Sequence, residues 1–438
     1  MTPPLILREG VWTALPALDA EAKINVARRV TLIDQRLRKD LPVGFGPLLD
    51  YDAGRNQVKA RFVGGWLQLG DLSLTIVPGC LPDDDWLAPF MAWFSVAVRR
   101  RPSCARFLPG ALGRDSTNTF VLDLLGLNFA LQLRKAMAEQ PLTAFVRERV
   151  RSSSPRGRLL TERNVHLLPH QMHALWYERS SLTVSEEHLR LLGWAAQWLR
   201  RRTSLQLARD VLNHLMAELP DVDDPPARTG HHGSRLTEGA AAYAEPIAIA
   251  EALATGGRRL GVSQRGESMA TGGLVLNTYS AFEELVSGAW EEVARRRSWL
   301  HSDQDVRRLA TVRQEDRTLD PRETRIDDSI AAPTGEGLLL SDSKYKMRPD
   351  DDVSRDNLYQ MVSTCLAHGL ERGLLVLPHG PGARTTFDIP SQLLTRPITI
   401  AAVRVAMTGS TPDELLGALA DELQEASDVM RPAPVGRG

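Results

Sequence analysis

A chain of 438 residues with 53 Lys and Arg against 54 Asp and Glu, a formal net charge of −1, is too long for one ordinary core and too balanced to bind nucleic acid through overall charge. Hydrophobic residues at 43% and charged residues at 24% are globular values, and Cys80, Cys104 and Cys365, an odd set without paired spacing, exclude a disulfide framework and a zinc ribbon. The start, MTPPLILREGVW, lacks the basic segment and apolar run of a signal peptide, and nowhere do 18 apolar residues run together, so a soluble cytoplasmic chain with no membrane role is expected.

Residues 58–78, VKARFVGGWLQLGDLSLTIVP, alternate short apolar runs with Gly64-Gly65 and Gly70-Asp71, which predicts a small hairpin region. PDDDWLAPFMAWFSVAVRR and NTFVLDLLGLNFALQLRKAMAEQPLTAFVRERV then carry apolar residues at helical spacing, predicting helices up to about 151. The pattern stays helical through the middle, with Thr183 and Glu186 read as a capping box. Residues 219–240 and 254–273, rich in Pro, Gly and Asp or in Gly, read as loops, and His231-His232 fall there with no third ligand nearby.

From 276 the pattern turns mixed α/β. Ser280 and Glu283 frame a helix whose Phe282, Leu285, Val286, Ala289, Trp290 and Val293 share one face. Strands are expected at RIDDSIAA (325–332), GLLLSDSK (337–344), GLLVLP (373–378) and ITIAAVRVA (398–406), with a helix from Ser354 to Gly369. A last helix follows, capped by Thr411 with Pro412 and Glu414 in its first turn. The expected division is therefore 1–150, a small β region with helices; 151–275, a helical middle with polar loops; 276–425, an α/β domain; and 426–438, a disordered tail.

Basic clusters at Arg99–Arg101, Arg200–Arg202 and Arg295–Arg297, and the segment VRERVRSSSPRGR with Arg156 and Arg158, are the local patches open to a nucleic acid; each taken singly reads first as a solvated helix end or loop.

One constellation carries chemistry. On a strand, residues i and i+2 share a face, so Asp342 and Lys344 emerge side by side while Ser343 points away. Asp327 and Asp328 lie about 15 residues upstream across a PTGEG turn that returns the chain beside its neighbour. Phosphodiester hydrolysis needs a divalent cation on oxygen ligands, a positioned water and positive charge where negative charge builds, and two acids plus a lysine supply that set. If Asp328 faces the site, Ile326 and Ile330 share its face; if Asp327 does, Asp328 sits between two isoleucines. Both remain open, and the plain alternative for Asp342 and Lys344 is an ion pair at a strand end. Glu283 is a third candidate ligand, with closure of a capping box as its alternative, and Gln360 a supporting residue or a solvent-facing one. Walker A and GxGxxG patterns are absent, so the chain is not expected to bind a nucleotide.

Taken together, VGGWLQLGDLSLTIVP, WLAPFMAWFSVAV, RGRL, YSAFEELV, RIDDSI, LLLSDSKYK and RDNLYQ, in that order over most of the chain, resemble the McrC family, the nuclease subunit of modified-cytosine-dependent McrBC restriction systems. The resemblance implies a carboxy-terminal PD-(D/E)xK nuclease domain in an α/β multidomain chain, with Asp327 or Asp328, Asp342 and Glu283 as ligands of Mg2+ (Mn2+ substituting) and Lys344 as the catalytic lysine. It also implies a McrB-like AAA+ GTPase or ATPase ring as partner, docked by the amino-terminal half, and double-stranded DNA as substrate, with Arg156 and Arg158 of RGRL as DNA contacts or architecture. Three departures stand out: Ile326 replaces the proline expected before the first acid, Asp328 displaces an apolar residue after it, and Gly79 replaces a lysine often found after IxP. The alternatives to a partner-dependent endonuclease are a nuclease-fold adaptor that mainly stimulates the ring, and a free-standing repair nuclease.

Overall fold

The computed structural model describes residues 5–39, 46–70, 72–108, 119–139, 141–222, 235–236, 238–255, 271–310, 313–314, 317–318, 322–348, 353–380, 384–389 and 397–430. His231-His232, most of the 254–273 loop and residues 431–438 of the tail lie outside them. The chain packs as two compact units, one made of residues 1–106 with 270–438 and the other of 107–269. The amino-terminal β region and the carboxy-terminal α/β region, expected as separate segments, fold as one body, and residues 426–429 of the expected disordered tail belong to the last helix.

In the first unit, β1 (Leu5–Arg8) runs parallel to β3 (Leu72–Val77), which forms a hairpin with β2 (Val63–Leu69), and β2 pairs in turn with β4 (Thr271–Asn277). Gly70, at φ +68°, makes the hairpin turn, because the left-handed region suits a residue without Cβ. The Gly64-Gly65 pair, read as punctuation, lies inside β2. Residues 57–60 belong to a separate three-stranded sheet with Thr13–Ala14 and Leu49–Asp52. Helix α1 (Ala20–Arg38) is capped by Asp19, and α2 (Leu87–Arg100) is buried along most of its length.

The carboxy-terminal part builds on α3 (Thr278–Arg297) and a six-stranded mixed sheet: β5 (Leu300–Ala310), β6 (Arg322–Ala331), β7 (Gly337–Ser343), β8 (Arg372–Pro378), β9 (Arg384–Ile389) and β10 (Ile398–Val405) in the order β5-β6-β7-β8-β10-β9. The strands β7, β8 and β10 are parallel, β7 and β8 joined through α4 (Arg355–His368) and β8 and β10 through β9; both edges are antiparallel. Helix α4 packs on one face; α3 and α5 (Pro412–Val429) pack together, with α3 against β5, β6 and β7 and α5 against β10. The core under α4 contains Ile326, Leu340, Met361, Cys365, Leu375, Leu377, Ile398 and Ile400. Each fully buried Leu or Ile there stabilises the fold by about 1.5–3 kcal/mol.

The expected strands and helices of this region are present, two more strands join the six-stranded sheet, and Arg313–Gln314 pairs with Arg317–Thr318 in a short separate ladder. Strands β5 and β9 are edges with mixed exposure, so their sequences, LHSDQDVRRLA and RTTFDI, lack an apolar signature. The capping signals fare unevenly. Thr411 Oγ1 accepts from Glu414 N at 3.2 Å while Glu414 Oε2 accepts from Ser410 N at 2.9 Å, and Ser354 caps α4, which Gly369 ends in the left-handed region. For α3 the cap is Asn277, whose Oδ1 accepts from Ser280 N at 3.2 Å; Ser280 and Glu283 are therefore not a capping box.

In the second unit the helix Thr119–Glu139 is followed by an antiparallel sheet in the order Arg235–Leu236, Thr143–Ser152, Leu175–Val184, Arg158–Leu159. Here the helical reading fails: TAFVRERVRS forms a ten-residue ladder with Leu175–Val184, and this pairing outweighs its apolar spacing of four. Thr183 is accordingly a strand residue, and Ser185 precedes the helix Glu186–Arg200. Helices Gln206–Met216 and Ala244–Thr255 complete the unit. No described helix is long and apolar enough to cross a membrane.

Removing the cap of α5 by Thr411→Ala is expected to lower the unfolding free energy by about 1 kcal/mol, read from denaturant unfolding of the purified chain.

Candidate active site

The β6–β7 hairpin does what the PTGEG turn promises: Gly335, at φ +85°, donates to Ala332 O at 2.9 Å, and Asp328 pairs with Ser341 across the strands. Asp327 is the acid that turns toward β7. Its Oδ2 accepts from Ser343 N at 2.8 Å, and the charges that act on it most strongly are those of Asp342 and Glu283. Asp328 instead lies fully buried between buried Ile326 and Ile330, held by His301 Nε2 at 2.8 Å from its Oδ1. The two adjacent acids thus have different surroundings.

Asp342, 3% exposed, is the next-to-last residue of β7, and Lys344 lies one residue beyond the strand with its backbone N–H donating to Val376 O at 2.8 Å. Lys344 Nζ stands 2.5 Å from Asp342 Oδ2, an ion-pair contact without hydrogen-bond angles, which leaves that oxygen with no hydrogen-bond partner. Glu283 comes from the second turn of α3. Free of a capping role, it accepts from Tyr279 and feels Arg101, Lys344 and Asp342.

Helix α3 is held in place on three sides. Trp290 Nε1 donates to Ser341 Oγ at 2.9 Å, Trp93 Nε1 of α2 donates to Ala281 O at 3.0 Å, and Arg100 bonds Glu284 at 3.3 Å and Glu291 at 2.7 Å. Glu284 therefore serves packing against α2 while its neighbour Glu283 turns to the acids. The last turn of α3 spends its three arginines structurally: Arg295 and Arg296 pair with Glu292, Arg296 also with Asp421, and Arg297 with Asp428.

Electrostatics bind the three acids into one group. Burial first, then Asp342 and Glu283, raise Asp327 to about 9. Burial raises Glu283 to about 7, opposed by the Tyr279 hydrogen bond and Arg101. Burial also raises Asp328, opposed by His301. Tyr279, pushed upward by burial and by Glu283, Asp327 and Asp342, belongs to the same cluster. The sequence signal for Tyr279 is its spacing of four from Glu283, which puts the two side chains on one face of the helix.

The donors are all carboxylate oxygens, the set a hard divalent cation takes. Among the described residues, however, no three His, Cys, Asp or Glu side chains are gathered closely enough to hold a metal ion as they stand. Asp342 is buried while Asp327 and Glu283 are half-buried, and Lys344 is the counter-charge on Asp342. Gln360 is exposed on α4, its carbonyl accepting from Thr364 Oγ1. Arg156 and Arg158 are exposed in the second unit. Arg200 bonds Asn213 Oδ1, and Arg202 stacks 4.1 Å over Trp198, so these arginines too have structural contacts.

In the absence of a cation the raised acid makes stability depend on pH. From the unfolded value near ~4 up to about 9 the folded chain binds more protons at Asp327 than the unfolded chain does, so stability falls as pH rises through that window. Tm measured in EDTA is expected to fall between about pH 5 and about pH 9, and less steeply in Asp327→Asn. An equally steep fall in the variant would contradict the burial of that charge.

A family model described as "McrBC 5-methylcytosine restriction system component" matches residues 109–378. Among solved structures, a refined half-complex from a tetradecameric assembly of Thermococcus gammatolerans McrB AAA+ hexamers with bound McrC is 16% identical at a TM-score of 0.49, covering 97% of this chain and 100% of that one. A cryo-EM structure of the Thermococcus gammatolerans McrBC complex is 17% identical at a TM-score of 0.31, covering 68% of this chain and 89% of that one. Comparison with curated proteins gives no match. With more than half of its length matched by the family model, the chain belongs to the McrBC 5-methylcytosine restriction system component family, the family to which the McrC resemblance pointed.

Proposed function

We propose that this chain is the DNA-cutting subunit of a McrBC-type restriction system, a Mg2+-dependent endonuclease of the PD-(D/E)xK class that works with an AAA+ NTPase ring on double-stranded DNA. The observation that supports this most is the facing of Asp327 and Asp342 from adjacent strands, with Lys344 against the second acid. Family membership supports the restriction context and the ring as partner. Docking to the ring is assigned to the first 150 residues, and Arg156 and Arg158 to DNA.

In this reading Asp327, Asp342 and Glu283 hold the ion, and Asp328 is the buried neighbour that His301 keeps in place. Mg2+, when bound, polarises the scissile phosphate and acidifies a water. The chain's own residues do the rest. Lys344, freed from Asp342, places positive charge beside the phosphoryl oxygens as negative charge develops. Tyr279 orients the Glu283 carboxylate by its hydrogen bond. Trp290 and the body of α3 shield one side of the acids from water, which strengthens each charge interaction there.

A second reading has one observation in its favour. The Lys344–Asp342 contact satisfies both charges without a cation, and the described acids form no ready cage. A chain that keeps the fold but only stimulates its ring would look this way.

Reconstitution with the ring, Mg2+ and a 5-methylcytosine duplex separates the two. Asp327→Ala, Asp342→Ala and Lys344→Ala are expected to reduce cutting by about 10²–10³-fold or more while ring NTP hydrolysis persists. Undiminished cutting in all three variants would remove the nuclease. Because the acids must lose protons to bind a cation, Mn2+ affinity measured by calorimetry is expected to rise from about pH 6 to about pH 8, and the rise to shrink in Asp327→Asn.

A further inference from the structure

Another buried carboxylate of the first unit, Glu9, plays no part in the chemistry above. Glu9 follows β1 directly and is 1% exposed. Its Oε2 accepts from Tyr345 Oη at 2.5 Å and from Gly79 N at 3.0 Å, and its Oε1 accepts from Thr278 Oγ1 at 2.9 Å. Thr278 opens α3, the helix that carries Glu283; Tyr345 follows Lys344 directly. Both oxygens are thus used to join the two elements that supply the helix acid and the lysine.

The packing around this junction is tight. The Tyr345 ring lies 5.8 Å from Phe282, 6.1 Å from Trp93 and 6.4 Å from Phe62, centre to centre. The next residues thread between the ends of β1 and β3: Arg348 donates to Gly10 O at 3.0 Å, and a Cβ at Gly79 would stand 2.1 Å from Met347 O. That clash accounts for glycine where the resembling family often has lysine. No side chain fits there while residues 345–348 hold this path.

We propose that Glu9 is a positioning residue of the candidate nuclease site, clamping the chain segment that carries Lys344 to the helix that carries Glu283. The inference rests on the nuclease reading and extends it to residue 9, a part of the chain outside the matched span of 109–378. The carboxy-terminal α/β layers are then not a self-sufficient nuclease, because the amino-terminal strand fixes the separation of two of their functional groups. Burial raises Glu9 to about 7, yet the tie survives protonation: a carboxylic acid can donate to Thr278 Oγ1 and still accept from Tyr345 and Gly79.

The test uses the full chain with its ring, Mg2+ and a 5-methylcytosine duplex, with Asp342→Ala as reference and kcat and KM for DNA read separately. Glu9→Ala is expected to lower kcat about tenfold or more with KM within about twofold, since misplacement acts on the chemical step and not on DNA capture. Glu9→Gln is expected to recover most of that loss, because its carbonyl oxygen accepts from Tyr345 and Gly79 and its amide donates to Thr278 Oγ1. A folded Glu9→Ala that cuts with the wild-type kcat, or a Glu9→Gln as impaired as Glu9→Ala, overturns the proposal. If Glu9→Ala does not fold, Tyr345→Phe and Thr278→Val decide: each removes one donor, and each is expected to lower kcat, the double variant falling short of the product of the single effects. Full activity in both overturns the clamp. If Asp342→Ala cuts like the wild type, the nuclease reading fails and takes the clamp with it; if only Asp342→Ala is impaired, the clamp fails alone.

Discussion

Two acids brought face to face by antiparallel pairing, Asp342 buried and Asp327 half-buried, are the constraint around which the rest is arranged. Asp327 and Asp342 repel one another where burial already penalises their charges, and the fold retains them through a backbone N–H from Ser343 and the ammonium of Lys344. Such a pairing costs stability and is tolerated only on a rigid support. That support is the layered core: Leu340 two residues before Asp342, Ile326 just before Asp327, and α4 packed over both. A less rigid sheet would let the acids drift apart and rehydrate.

Neighbouring residues divide the work between structure and chemistry. Glu284 anchors α3 to Arg100, and Glu283 beside it joins the acids; Asp328 is locked to His301, and Asp327 beside it faces β7. In each pair the partner of one side chain fixes the direction of the other. The arginine clusters follow the same economy, since Arg295 to Arg297 are consumed by acids of α3 and α5.

Local signals in the sequence were legible where local chemistry decides. Thr411 and Ser354 act as caps, the PTGEG turn closes a hairpin, and the leucine run of β7 is a buried central strand, all as their residue types imply. Signals failed where tertiary pairing decides. TAFVRERVRS is a strand because Leu175–Val184 lies beside it, and the polar edges β5 and β9 are strands because a neighbour offers free backbone groups. Which of Asp327 and Asp328 turns toward β7 depends on the register of β6 and on the His301 partner, neither of which is local to the two acids. Glu9 carried no local signal at all: its partner Tyr345 is 336 residues away.

The discontinuity of the first unit has a consequence for synthesis. Residues 107–269 form an insertion between two halves of one body, and β1 emerges from the ribosome long before its partners. The second unit can fold on its own schedule, whereas the acids, the lysine and the Glu9 junction come together only after translation has passed residue 345. Closing so long a loop adds little entropic cost for each doubling of length, about 0.6 kcal/mol, but it delays the event. A nascent or truncated chain that stops short of residue 345 therefore lacks the assembled group of acids, lysine and Glu9 junction.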